Sequence, residues 1–147
     1  MKKILTLLFA FLFSAVSFAQ TGTLKIKVSG IKSHKGNIKA ALYNEEGKES
    51  FLKDLKNVYS KKQTAVTGDE VTIIFKNLPY GVYAVSLFQD ENNNNILDRA
   101  KIGFPIEPYG VSGNKKTFGP PRFDDCKFEL KTPLLYKNII LGSFGGK

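Results

Sequence analysis

Four oxygen-bearing side chains, Asp90, Asn92, Asn94 and Asp98, recur on alternate residues of the stretch QDENNNNILD. They match positions 1, 3, 5 and 9 of a calcium-binding loop, and Ile96 falls at position 7, where such loops offer a backbone carbonyl. Alternate spacing lets oxygens converge on one point while the residues between them face outward, which suits a hard cation needing six to eight oxygen ligands. Two positions depart from the pattern. Asn95 stands at position 6, where glycine is usual, and Lys101 at position 12, where a bidentate glutamate is usual. The stretch is therefore not an EF-hand, and further ligands must come from elsewhere in the chain. Glu107, Asp124 and Asp125 are the carboxylates to examine, and Asp125 completes the expected set of Asp90, Asn92, Asn94, Ile96 and Asp98 around calcium. With two local anions, affinity would be about 10⁻⁴ to 10⁻³ M. The alternative is a metal-free loop, since asparagine bonds its own backbone and accepts positive φ.

Other chemistry is sparse. His34 is the only histidine and lies in a turn without a partner for catalysis or zinc; no HExxH or CxxC occurs. Cys126 is the only cysteine, so no intrachain disulfide can form, and a buried, inert thiol is expected there. Glu107 with Asp124 or Asp125 could form the acid and base pair of a glycan-acting enzyme, a reading kept as an alternative to a non-enzymatic module. A ligand surface, for a cell-surface glycan or peptide, is expected at Glu107, Tyr109, Ser112, Asn114, Arg122 and Asp124. The net charge of +9 also allows adhesion to an anionic polymer. However, Lys25, Lys27, Lys39, Lys61, Lys62, Lys115 and Lys116 are scattered, as on a solvated exterior, and nothing indicates specific nucleic-acid binding.

The elements that position these residues follow from pattern. Lys2 and Lys3, the apolar run Ile4–Phe13 and Ser17-Phe18-Ala19 read as an export signal cleaved between Ala19 and Gln20. Cleavage would leave one domain, residues 20–147, without a transmembrane span and located in the periplasm or secreted. Residues 22–30 and 37–43 alternate apolar and polar, as half-buried strands do. Leu78-Pro79-Tyr80-Gly81 reads as a chain reversal. After it, Tyr83, Val85 and Leu87 share one face of a strand, while Val82, Ala84, Ser86 and Phe88 share the other. Residues 71–75, 126–131 and 136–141 supply further strands, with Cys126 opening one whose face Phe128 and Leu130 continue. The segment 45–56 is the one helical piece, capped by Ser50, and 59–69 is polar and ambiguous. The stretch 103–125 holds four prolines, four glycines and the aromatics Phe104, Tyr109, Phe118 and Phe123. It is expected to pack as a loop over the cation loop, bringing Asp124 and Asp125 beside Asp90 and Asp98. The fold class is all-β: an antiparallel β-sandwich of about seven strands, Ig-like or transthyretin-like, with one short helical turn.

Four motifs in order carry a resemblance: Leu78-Pro79-Tyr80-Gly81-Val82-Tyr83; Asp90-x-Asn92-x-Asn94-x-x-Leu97-Asp98; Gly103-x-Pro105-x-Glu107-x-Tyr109-Gly110-x-Ser112; and Gly119-Pro120-Pro121-x-Phe123-Asp124-Asp125. The chain resembles the exported bacterial DUF2141 family, whose function is uncharacterised. Gln89, Asn95 and Cys126 stand where that family is expected to have His, Gly and Ala. A broader similarity, to transthyretin-like and Cna-B-like modules of secreted proteins, implies a sandwich fold and, in some members, a calcium loop. The expected role is an exported, non-enzymatic binding or structural module.

Overall fold

The structure, a computed structural model, describes residues 19–113 and 119–142. The expected export signal other than Ala19, together with Asn114, Lys115, Lys116, Phe118 and the last five residues, lies outside the described residues. Among the described residues eight strands form two sheets: β1 Thr21–Ser29, β2 Asn37–Asn44, β3 Ser60–Ala65, β4 Val71–Pro79, β5 Gly81–Asp90, β6 Tyr109–Val111, β7 Phe128–Leu130 and β8 Leu134–Ile140. One sheet has the order β4-β1-β8, and the other has β3-β2-β5-β6, with β7 also on β5. The all-β sandwich expected from alternation is the fold observed. Every pair is antiparallel except β1 with β8, which run parallel.

The main core fills the space between the sheets. Leu24, Ile26 and Val28 of β1, and Ile73 and Phe75 of β4, meet Ile38, Leu42, Val85 and Leu87 of the other sheet. These are the apolar sets of the period-2 patterns, so burying one face of each strand fixes its register. Leu78-Pro79-Tyr80-Gly81 reverses the chain as a corner between sheets, because β4 pairs with β1 while β5 pairs with β2. Just before it, β4 carries one extra residue between the Gly22–Leu78 and Leu24–Phe75 pairs, with Asn77 at φ 56°. Such a bulge adds the twist that turns a strand out of its sheet.

A second cluster covers the outer face of the five-stranded sheet. Ala41, Tyr43 and Ala84 lie under Phe51, Phe123 and Cys126. Tyr43, Phe51 and Phe123 meet edge to face, with ring centroids 5.3 and 6.1 Å apart. Phe51 follows a 3-10 helix, Glu45–Ser50, whose cap is Asn44, not Ser50: the Asn44 side chain accepts the Gly47 N–H at 3.1 Å. Phe123 and Cys126 belong to one helical turn, α1, Phe123–Cys126. Cys126 is thus buried as expected, but it ends a helix instead of opening a strand. It faces this outer cluster, whereas Leu130 faces the main core.

Candidate functional site

At the end of β5, Asp90 is fully buried, and its two carboxylate oxygens accept the N–H groups of Asn94 (3.0 Å) and Asn95 (2.9 Å). These bonds wrap the chain around the carboxylate and let Asn93 and Asn95 adopt φ of 59° and 67°, a region asparagine enters more readily than most residues. Asn95 thereby takes the conformation for which glycine is usual. Asn92 and Asn94 each accept a backbone N–H two residues on, from Asn94 and Ile96. Their amide Nδ2 atoms both donate to Asp98, at 2.6 and 2.9 Å. Three of the expected ligand side chains therefore meet at one exposed point, with Asp90 behind the loop.

Two residues brace this arrangement. Glu107, also buried, accepts the N–H of Glu91 on one oxygen and that of Asp98 on the other, each at 3.0 Å, tying the two ends of the loop together. Lys39 on β2 places its ammonium 2.6 Å from Asn95 Oδ1, 2.9 Å from Gln63 Oε1 and 3.6 Å from Asp90 Oδ2. A fixed cation is thus the near neighbour of the buried carboxylate. The sequence carries one signal for it: Lys39 sits on the outer face of β2, opposite Phe88, two residues from Asp90. Gln89 is buried too, donating from Nε2 to the carbonyls of Ser33 (2.6 Å) and Lys35 (2.9 Å), and its Oε1 accepts no bond among the described residues.

Asp124 and Asp125 do not join this site. From Glu107 to Gly113 the chain runs extended beside β5, and a Cβ added at Gly113 would overlap the Asp125 carbonyl. Glu107 and Asp125 therefore lie at opposite ends of a run of about 20 Å, at roughly 3.3 Å per residue. The physical reason is the edge of β5: β6 takes Ser86–Phe88 and β7 takes Gly81–Tyr83, which draws α1 to the far end of that strand. Asp125 instead accepts the Arg122 N–H at 3.1 Å, with the Arg122 Nε 3.7 Å away. Asp124 is exposed and paired with Lys127 at 2.7 Å, a contact that holds its carboxyl below the usual range. Among described residues no group of three or more His, Cys, Asp or Glu is placed to hold a metal.

The expected ligand surface is likewise divided. Ser112 is buried: its hydroxyl accepts the Val85 N–H at 2.9 Å and donates to the Cys126 carbonyl at 2.7 Å, filling the gap between β6 and β7. Tyr109 is part of β6, half-buried next to Gly142, and Arg122 is exposed beside α1. Cys126 is inaccessible, and burial raises its thiol pKa. Residue spacing gives no sign of one further feature. An open groove of about 470 Å³ crosses the outer face of β3, β2 and β5, with Ala41 and Ser86 among its lining beside Phe88, Lys39, Lys61 and Lys62.

A family model described as "Uncharacterized protein conserved in bacteria (DUF2141)" matches residues 26–134. The chain belongs to the DUF2141 family. No curated protein and no solved structure matches it. The DUF2141 match includes the Asp90–Asp98 loop, Glu107, the Ser112 anchor and α1, and it ends where β8 begins.

Proposed function

We propose that this DUF2141 protein is an exported, non-enzymatic binding or structural module, of the sandwich type found in transthyretin-like domains, whose loop from Asp90 to Asp98 takes a calcium ion. The convergence of Asn92 and Asn94 on the Asp98 carboxylate, beside the buried Asp90, carries the reading. Rotation of the two amides presents Oδ1 in place of Nδ2 toward the same point. Asp90, Asn92, Asn94, Asp98 and the Ile96 carbonyl then supply protein oxygens, water supplies the rest, and Lys39 keeps the affinity low. The use of both Glu107 oxygens as a backbone brace, about 20 Å from Asp125, favours a structural over a catalytic role, since glycoside hydrolysis uses carboxylates about 5 to 9.5 Å apart.

The melting temperature of residues 20–147 in excess EDTA and in millimolar calcium tests this, with Asp98→Asn alongside. Binding at a few times Kd adds about 1 kcal/mol, a rise of roughly 3 to 5 °C for a domain of this size. The rise should be lost in D98N; equal melting temperatures with and without calcium in the wild type would leave the loop metal-free.

The groove with Lys39, Lys61 and Lys62 favours a second reading, attachment to an anionic polymer. Among described residues neither Lys61 nor Lys62 is paired with a carboxylate. Retention on heparin should then fall in K61Q/K62Q and not in K25Q/K27Q; equal loss in both would indicate general charge alone.

A further inference from the structure

The outer face of β3, β2 and β5 is laid out in rungs that the strand register sets. Lys61, Ala41 and Ser86 stand side by side on one rung, and Gln63, Lys39 and Phe88 on the next rung of the same face. Ala41 and Ser86 are small, whereas the rungs that flank them are tall. Lys39 and Phe88 rise on one flank, and on the other Tyr43 is covered by Phe51. Leu55 closes that second flank, next to Asp54, whose carbonyl accepts the Tyr43 hydroxyl at 3.1 Å. The result is a channel across three strands, about 10 Å long at roughly 4.8 Å between neighbours, with small residues as its floor.

The lining of this channel is apolar below and cationic at one end. Ala41 is buried, Ser86 and Phe88 are half-buried, and Leu55 is 56% exposed. Among the described residues no carboxylate lines it. Its side-chain acceptors other than the Ser86 hydroxyl are Gln63 Oε1 and Asn95 Oδ1, and both accept from Lys39 Nζ, at 2.9 and 2.6 Å. Lys39 is thereby committed, with Asp90 3.6 Å behind it. Lys61 differs: it is exposed at the β3 end and makes no ion pair among the described residues. An ammonium without a counter-ion thus stands at the head of an apolar channel.

We infer that this channel binds a single-chain anionic amphiphile, of which a fatty-acid carboxylate is the simplest. The carboxylate meets the Lys61 ammonium, with Lys62 beside it, and the alkyl chain crosses Ala41 and Ser86 between Leu55 and Phe88. Small-molecule sites are mostly apolar clefts of about 300 to 1,000 Å³ with few polar groups, and the groove of about 470 Å³ is of that kind. A sugar fits less well, because its covered hydroxyls need acceptors and two of the three present are already used. An apolar peptide brings backbone groups with the same need. A neutral alkyl chain would leave Lys61 without a counter-ion. The inference shares Lys61 with the attachment of an anionic polymer but does not rest on it: a polymer needs the lysines alone, whereas an amphiphile needs the floor and both walls. Calcium has no part in it, so the assay is run in EDTA.

Isotope-labelled residues 20–147 are titrated with hexanoate, octanoate and decanoate below their micelle concentrations, and separately with decanol, while backbone amide resonances are followed. The expected result is saturable shifts at Ala41, Lys61, Ser86 and Phe88, with decanoate preferred over decanol. Each added methylene should tighten binding about two- to fourfold until the channel is full. Leu55→Gln should weaken decanoate binding about fivefold, by loss of one apolar wall, and leave retention on heparin unchanged. Lys61→Gln should abolish the preference for decanoate over decanol. Leu55 and Lys61 are both exposed, so the melting temperatures of the two variants should match the parent. Binding that does not change with chain length would overturn the inference in favour of charge alone, and the polymer reading would stand. Equal binding of decanol and decanoate would overturn the role of Lys61 and with it the anionic ligand. Shifts confined to another face, such as Tyr136 and Ile140 of β8, or no saturable shift at all, would overturn it outright.

Discussion

Asp90 shows how a residue read as a ligand can be a structural anchor first. Its oxygens satisfy two backbone N–H groups inside the loop, and Lys39 stands nearby. Truncation to Asp90→Ala leaves those donors without acceptors, at about 1 to 3 kcal/mol for each buried group left unpaired. D90A should therefore lose about 2 to 4 kcal/mol in urea denaturation even in EDTA, whereas D98N should lose less than about 1 kcal/mol. Equal small losses would show that the loop closes without its buried carboxylate. The spacing of Asp90 and Asp98 was legible in the sequence; their different burial was not, because burial depends on the β1–β2 turn that closes over Asp90. Ser112 was misread for a similar reason: a serine that joins Val85 to Cys126 looks, in one dimension, like any loop hydroxyl. Tyr83 offers a pH test at the same scale. Burial, with Tyr59 alongside, pushes its pKa up to about 12, and its hydroxyl donates to the Pro79 carbonyl at 2.7 Å. Between pH 10 and 12 the folded state keeps a proton that the unfolded chain has lost, so the unfolded state binds fewer protons and stability falls as pH rises. The contribution is complete below pH 10 and lost through pH 12, about 2 kcal/mol in all. Denaturation of Tyr83→Phe across this window should show a shallower decline than the wild type; parallel curves would place the alkaline sensitivity elsewhere.

The strands that read clearly are those with one face in a core. β1, β2 and β5 alternate because water lies on one side of each and packed side chains on the other. β5 was doubly legible, since the small residues Ala84 and Ser86 announce a second covering. β3 was not, because Ser60–Ala65 is an edge strand with most of its side chains in solvent and no apolar face to set a period. In the segment after the Asp90–Asp98 loop, prolines and glycines correctly excluded a long strand. They concealed a hairpin in which the Ala100 N–H donates to the Phe104 carbonyl at 2.8 Å across the turn Lys101-Ile102-Gly103. Turn geometry also governs the contact between elements at the loop. Gly36, in the β1–β2 connection, has φ 69°, and a Cβ there would overlap the Asp90 carbonyl oxygen. Gly36→Ala should cost about 2 kcal/mol or more, from backbone strain and displacement of the β5 end together. Gly68→Ala, where an added Cβ meets nothing within 4 Å, should leave stability unchanged or raise it by up to about 1 kcal/mol. Similar losses in both, measured by urea titration, would mean that the approach of Gly36 to Asp90 is not a constraint on the fold.

At the scale of the molecule, the sandwich is closed by its last strand. β8 runs parallel to β1 over seven paired residues, from Thr23 with Leu134 to Ser29 with Ile140, and it brings Ile139 and Leu141 into the main core. Parallel pairing of the ends was the part of the topology least accessible from sequence. Alternation identifies a strand but not its partner, and these partners are more than 100 residues apart. A chain ending at Thr132 retains the Asp90–Asp98 loop, both helical turns and most of the DUF2141 match, yet it leaves one edge of β1 unpaired over an open core. Burial of Ile139 and Leu141 alone is worth about 1.5 to 3 kcal/mol each. Adding the lost β1–β8 ladder brings the deficit to the order of a small domain's whole net stability, about 5 to 15 kcal/mol. Residues 20–132 should therefore lack a cooperative thermal transition and the near-ultraviolet tyrosine signal of the folded chain, and should aggregate through the exposed β1 edge. A synthetic peptide of residues 133–142 should restore both signals, because an added strand can pair with β1 from outside the chain as well as from within it. A cooperative transition of 20–132 within a few degrees of the full domain would instead make β8 an accessory, and β1–β4 packed on β2–β5 would then be sufficient to hold the Asp90–Asp98 loop in place.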